Sequence, residues 1–200
     1  MIYCKKESGG IFKLNPYEKC PVYENEKYCL RLVEASDAAD LLLVYSDEKA
    51  WPYFNSDNCS GDFHCTFLEQ VQGMIGAWLW EYQGKGFVRW TIIDKTIHHA
   101  IGTIELFNRS SEEDYFNNCG ILRLDLRSDY EQEEDIFEIL SLIILPAFEL
   151  FDCRMIATKV PQSAPQRKKA IERLGFAATE EKLIGYHDRK IYSDYYVLQK

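Results

Sequence analysis

Apolar positions Phe67, Val71, Ile75 and Trp78 recur at intervals of three or four residues and predict a helix with one buried face. Gly73 and Gly76 within it either weaken the helix or let a neighbour pack close. Upstream, residues 28–33 read as a short strand. Ser36 is placed to cap a following helix whose first turn carries Asp37 and Asp40, where carboxylates suit the exposed N–H groups. A polar loop, residues 55–62, separates the two helices. Residues 87–93 and 100–107 are rich in β-branched and aromatic side chains, and the polar residues 94–99 between them predict an antiparallel hairpin. Residues 121–126 form a third strand of this group, reached through an acidic loop. The period then changes, to a helix over 135–151, a strand over 154–160, a helix over 164–174, and strand-like runs from Phe176 and over 190–198. This order defines an α+β fold around a mixed sheet. Residues 1–27, with Gly9-Gly10, Pro16, Pro21 and little periodicity, read as an N-terminal extension that packs against the domain or frays, and residues 28–200 as one domain.

Composition narrows the class. With 200 residues, 46% of them hydrophobic, the chain can bury a sizeable core. A net charge of -9 argues against general nucleic-acid or anionic-membrane binding, since both need concentrated Lys and Arg. The most apolar window, residues 139–148, is interrupted by Ser141 and Pro146 and falls short of the roughly 20 residues of a membrane span. The first ten residues lack the apolar stretch of a signal peptide. Seven cysteines, odd in number and without a C-x-x-C pair, point to reduced thiols and a cytoplasmic protein. Cys59, His64, Cys65, His98 and His99 fit no structural zinc spacing, so no metal is expected.

Four local words carry a resemblance: Leu30-Arg31-Leu32 followed by Ser36-Asp37; the hairpin strand Ala100-Ile101-Gly102-Thr103-Ile104-Glu105-Leu106; the long helix after Tyr130; and Ile171-Glu172-Arg173-Leu174-Gly175-Phe176. Together they make residues 28–200 similar to the GNAT superfamily of N-acetyltransferases, in its RimJ/RimL-like branch. The resemblance implies a mixed sheet of six to seven strands flanked by about four helices. It also implies transfer of an acetyl group from acetyl-CoA to a primary amine by direct attack, the acceptor being a protein N-terminus or a small basic amine.

Carried over residue by residue, the resemblance makes Leu124, Asp125 and Leu126 the strand segment whose backbone holds pantetheine. It puts the pyrophosphate on the N–H groups of Gln132, Glu133, Glu134, Asp135 and Ile136 at a helix start. The family pattern there, approximately Q/R-x-x-G-x-G/A, has Gln132 and Glu134 in place of its glycines. Gln83-Gly84-Lys85-Gly86-Phe87 imitates that pattern but leads into a strand, so its N–H groups cannot converge on an anion. The family's Asn and Ser fall on Ala164 and Arg167; Arg167, Lys168 and Lys169 are then either cationic phosphate ligands or a solvated helix face. Glu105 and Asp125 are the candidate catalytic bases. Alternation puts Glu105 and Thr103 on one face, which is either cleft or solvent. The family's acidic Tyr corresponds to Ile171, leaving Tyr186, Tyr192, Tyr195 and Tyr196 as acids or packing residues.

Residues 111–138 hold ten acids against Arg123 and Arg127, so most of the net charge falls where CoA phosphates would lie. A non-glycine at a left-handed position costs on the order of 1 kcal/mol, and each nearby carboxylate adds a repulsion of about 1 to 4 kcal/mol. Two readings follow: an acetyltransferase acting on a small-molecule or peptide amine, or a catalytically inactive binding or regulatory protein with impaired CoA binding. Self-association into a homodimer stays open in either.

Overall fold

The computed structural model describes residues 15–200; the first fourteen residues of the extension lie outside them. Its centre is an eight-stranded sheet in the order β1-β2-β3-β4-β5-β6-β10-β7. The strands are β1 (Tyr23–Glu24), β2 (Tyr28–Leu32), β3 (Val88–Asp94), β4 (His99–Arg109), β5 (Cys119–Leu126), β6 (Met155–Lys159), β7 (Ala177–Ala178) and β10 (Tyr195–Gln199); β8 (Leu183–Ile184) and β9 (Ile191–Tyr192) pair apart from it. All neighbours run antiparallel except β5 and β6, which are parallel. The α+β architecture around a mixed sheet follows the hydrophobic pattern, and the sheet extends beyond the expected strands because residues 23–24 add an edge to β2.

Alternation along β3, β4 and β5 sorts side chains to two faces. Val88, Trp90, Ile92, Ile104, Leu106, Leu122, Leu124 and Leu126 join the larger core, under α3 (Glu133–Ser141), α4 (Ile144–Leu150) and α5 (Pro165–Arg173). The opposite face lies under α1 (Ala38–Tyr45) and α2 (Leu68–Gln83), whose Leu41, Val44, Val71, Ile75 and Trp78 form a second core.

Two expectations need correction. The helix over 135–151 is two helices, parted at Leu142 and Ile143. Pro146 is responsible: it has no N–H to offer the carbonyl of Leu142, and its ring crowds the preceding turn, so it is accommodated in the first turn of a new helix. Nor does Ser36 cap α1. A 3-10 turn, Ala35–Asp37, precedes the helix, and the Asp37 carboxylate accepts the Glu34 N–H at 2.9 Å. Asp40 reaches across to β4, accepting the Ala100 N–H at 2.9 Å. By contrast, Gly175 behaves as its place after α5 suggests, with φ of 92° and the following N–H of Phe176 bonded to the Ile171 carbonyl at 3.1 Å.

Residues 15–24 pack onto the domain. Tyr17 joins the larger core, Tyr82 donates to the Pro16 carbonyl at 2.9 Å, and the Trp90 indole donates to the Pro21 carbonyl at 2.9 Å.

The pairing of β3 with β4 shifts at Ile92/Ile93, which leaves Ile101 as an extra residue on β4 beside Gly102. A Cβ on Gly102 would run into the Asp125 carbonyl and the Leu126 side chain. Gly102→Ala should therefore lower the unfolding free energy by about 1 to 3 kcal/mol, read by urea denaturation. A loss below about 0.5 kcal/mol would mean that β4 and β5 reseat without cost.

Candidate functional site

The polar residues of β3, β4 and β5 share the sheet face toward α1 and α2. Registration aligns them into two rows, Arg89–Glu105–Arg123 and Thr91–Thr103–Asp125. Glu105 is 1% exposed and lies between both guanidiniums: Arg89 pairs with its Oε2, and Arg123 Nη1 donates to its Oε1 at 2.7 Å. Arg89 Nη1 also donates to Asp125 Oδ2 at 3.2 Å and to Thr103 Oγ1 at 3.0 Å. From α1, the Tyr45 hydroxyl donates to Asp125 Oδ2 at 3.1 Å and lies 2.8 Å from Thr103 Oγ1. The Trp78 ring covers Arg89 at 4.1 Å. Three atoms of the cluster, Asp125 Oδ1 and the Nε of Arg89 and of Arg123, are buried with no hydrogen-bond partner.

The two carboxylates are driven apart. Burial pushes Glu105 up, but the charges and hydrogen bonds of Arg89 and Arg123 outweigh it and hold its carboxyl below the usual range. Burial pushes Asp125 up as well, and there Arg89 and Arg167 do not compensate, so its carboxyl is raised. Buried Tyr45 beside Asp125 is held well above the ordinary tyrosine value. Glu105 thus faces neither bulk solvent nor an open site alone: it borders a cleft of about 890 Å³ whose walls include Phe63, Trp78, Phe87 and Phe107 and whose rim carries Asp62, Glu81 and Asp188. Asp125 lies behind it.

β5 and β6 pair only from Cys119↔Met155 to Leu122↔Thr158, so residues 123–126 diverge from β6 and a seam opens in the sheet. Into it reaches Arg167 of α5, 3% exposed. Its Nε donates to Glu131 Oε2 at 3.1 Å and its Nη2 pairs with Glu131 Oε1; its Nη1 donates to the carbonyls of Leu124 and Tyr53, each at 2.9 Å. Farther along the seam, Lys159 donates to both Asp57 oxygens at 2.6 and 2.8 Å, Tyr195 donates to Asp57 Oδ2 at 3.1 Å, and Arg123 Nη2 donates to the Asp57 carbonyl at 2.7 Å. The polar loop before α2 therefore lies across the place where the two strands part.

Gln132 is the N-cap of α3, with φ of -110°, and Glu134 is inside the helix; neither has the left-handed backbone that would demand glycine. The strain expected there does not arise. Nor are the carboxylates bare. Asp135 accepts from Lys27 at 2.7 Å and from Tyr28 at 2.6 Å, while Glu134 and Glu133 lie 2.6 and 3.8 Å from Arg173 of α5. Ile136 is buried in the larger core, as is Ile171. Lys168 and Lys169 are exposed. Residues 83–87 form the turn from α2 into β3. Tyr192 bonds Asp188, Tyr196 packs in the core, and Tyr186 is exposed.

Cys59, His64 and His99 do not converge: His64 stacks on Trp51 at 4.2 Å and His99 bonds Asp40 at 2.9 Å. Among the described residues no group of three or more His, Cys, Asp or Glu side chains is arranged to hold a metal, and no helix is long and apolar enough to cross a membrane. Arg89, Arg123, Tyr45 and Glu131 were not singled out by their sequence context. The repeated words Val88-Arg89-Trp90-Thr91, Thr103-Ile104-Glu105 and Arg123-Leu124-Asp125 contain the signal, since three neighbouring strands keep charged residues in one phase.

A sheet with one parallel strand pair parting midway, helices on both faces and a cleft on the side of the seam defines an acetyltransferase-type α+β domain. A family profile described as an acetyltransferase (GNAT) domain matches residues 27–177, and the chain belongs to that family. A search of curated protein sequences finds no match. Among solved structures, the fold is similar to ribosomal-protein-S5-alanine acetyltransferase from Vibrio fischeri, with a TM-score of 0.65 and 18% identity over 90% of this chain and 96% of that one. It is similar also to RimL, the ribosomal L7/L12 α-N-protein acetyltransferase in complex with coenzyme A (TM-score 0.64, 14% identity, 90% and 98% covered). A third is the microcin C7 self-immunity acetyltransferase MccE in complex with acetyl-CoA and AMP (TM-score 0.65, 13% identity, 88% and 94% covered).

The opposed shifts of Glu105 and Asp125 predict a pH signature. Glu105 has a folded value below its unfolded one of about 4.3, so its stabilisation is complete above that value and is lost as pH falls through the folded one. For Asp125, raised in the fold, acidification instead removes a cost. Glu105→Gln should flatten the fall in unfolding free energy between about pH 5 and pH 3, and Asp125→Asn should steepen it. Equal slopes in chemical denaturation across that range would show that neither carboxylate is coupled as described.

Proposed function

We propose that this chain is an N-acetyltransferase that transfers an acetyl group from acetyl-CoA to a primary amine by direct attack, the amine entering through the cleft that ends at Glu105. The observation that carries the reading is the juxtaposition of that cleft with the point where β5 leaves β6. Acetyl-CoA would supply the activated acyl group.

The chain's own residues have defined tasks in this scheme. Aromatic walls at Phe63, Trp78 and Phe87 exclude water from the acceptor amine. Asp62, Glu81 and Asp188 favour a cationic acceptor by charge complementarity, as a small basic amine or basic peptide terminus would provide. Glu105 accepts a hydrogen bond from the amine and orients it. Its lowered pKa makes it a weak proton acceptor; Asp125, with a raised pKa and an oxygen without a hydrogen-bond partner, is the stronger base and lies one residue row behind.

In the arrangement described, the chain's own contacts occupy the donor's place. Leu124 is one of the residues whose main chain would hold pantetheine, and its carbonyl already accepts from Arg167. Arg167 is itself committed to Glu131, and the start of α3 presents acids without glycine. That occupancy favours the second reading, a catalytically inactive binding or regulatory protein.

Titration calorimetry with acetyl-CoA, run beside a mass-spectrometric acetylation assay on a polyamine and a basic peptide, separates the two. Acetylated product establishes the enzyme; neither heat nor product at millimolar donor establishes the inactive reading. For the enzyme, Glu105→Gln should lower kcat by up to about a hundredfold, by loosening the orientation of the amine, while leaving acetyl-CoA affinity unchanged. Retained turnover would remove Glu105 from the reaction.

A further inference from the structure

Arg167 does not behave as a surface cation of a helix. Its guanidinium passes from α5 into the β5–β6 seam and binds three elements at once: the Glu131 carboxylate, the Leu124 carbonyl of β5, and the Tyr53 carbonyl from the loop on the far side of the sheet. Glu131 is itself buried, so each charge is desolvated and each is the other's compensation. The same loop is tied a second time, through Asp57, to Lys159 of β6 and to Tyr195 of β10. Every one of these contacts joins parts of the chain across a gap that strand pairing leaves open.

Such an arrangement has an identifiable consequence. Leu124 has its carbonyl turned to the seam, and alternation along an antiparallel ladder turns the main-chain groups of Leu126 the same way. An extended ligand hydrogen-bonding along this edge needs those groups and the space beside them. Arg167 holds one of them, and residues 53–57 hold the space.

We propose that Arg167 and Glu131 form a latch that closes the β5–β6 seam over residues 53–57, so that coenzyme A is taken up only when the latch opens. The proposal rests on the acetyl-CoA reading above. Opening requires the guanidinium to withdraw from Leu124 and Tyr53 together, and the loop to lift from Asp57 onward. Binding energy of the ligand is then partly consumed in displacing the chain's own contacts, which lowers the apparent affinity by the fraction of molecules that are open.

The test is calorimetric titration of coenzyme A into the wild-type protein and into the double variant Glu131→Gln/Arg167→Ser, each shown to be folded by thermal denaturation. The double replacement removes one acid and one base, so net charge and long-range attraction for phosphate are unchanged. Any gain then reports on the latch. The expected result is weak binding by the wild type and a gain of about tenfold or more in the variant. Equal micromolar affinities would overturn the latch and leave the acetyl-CoA reading standing. Absence of binding in both at millimolar ligand would overturn the two together. Should the variant fail to fold, hydrogen exchange of the wild type decides: coenzyme A must accelerate exchange in residues 53–57, and unchanged or slowed exchange overturns the proposal.

Discussion

Four charges buried in one sheet face set the terms for the rest of this protein. Arg89, Glu105, Arg123 and Asp125 come from three adjacent strands; Arg89, Glu105 and Asp125 are buried, and Arg123 is largely so. Moving such ions out of water costs several kcal/mol apiece, and it is tolerated only where geometry and further hydrogen bonds compensate. Here the compensation depends on strand register. A slip by one residue between β4 and β5 would send Glu105 to the apolar core and take from Arg89 and Arg123 the carboxylate they share. The network thus contributes less to net stability than to choosing one register among several with similar hydrophobic burial. Tyr45 and Trp78 extend that choice to α1 and α2, whose packing over the sheet must deliver a hydroxyl to Asp125 and a ring to Arg89.

The same register decides where the sheet opens. Because β4 is paired with β5 along residues 119–126 while β6 pairs only as far as Leu122, the far edge of residues 123–126 is left without a strand partner. Exposed main-chain groups within a domain must find partners. At this seam Arg167 serves the carbonyls of Leu124 and Tyr53, and Arg123 that of Asp57, whose carboxylate Lys159 holds in turn. Polar satisfaction of the seam and access of a ligand to it are therefore opposing demands on the same atoms.

Much of this architecture was legible before any coordinates. The hairpin of β3 and β4, the helix ending at Arg173 and the glycine after Leu174 follow from alternation, from helical spacing and from the preference of a left-handed position for glycine. What was not legible has a common cause. Alternation assigns Glu105 and Thr103 to one face, but it is silent on whether helices cover that face, and here they do. Likewise the run Arg167-Lys168-Lys169 reads as a basic patch, whereas successive helical positions are turned about 100° from one another: Arg167 points inward to Glu131 while the two lysines stay in solvent. The break at Pro146 was visible as a residue but not as a boundary, since proline is accepted in a first helical turn and rejected in an interior.

The net charge of -9 takes a different meaning once its partners are known. Read along the chain, the acids of residues 111–138 form a repulsive field for phosphate. In the fold most of them pair with cations, mainly from outside the segment: Glu113 with Arg189, Asp114 with Arg109, Asp125 with Arg89, Glu131 with Arg167, Glu134 with Arg173 and Asp135 with Lys27, while Asp129 pairs with neighbouring Arg127. Paired carboxylates repel an incoming anion weakly, because each carries a compensating charge within hydrogen-bonding distance. The obstacle they create is competitive instead. A phosphate approaching α3 meets cations already engaged, and it gains from Arg173 or Arg167 only what remains after Glu134 or Glu131 is released. At exposed Arg173 that exchange is nearly free, since surface pairs contribute little. At buried Arg167 it requires a carboxylate to be left unpaired or rehydrated, which makes Glu131, more than the summed acidity of the segment, the residue that governs whether this site accepts an anion.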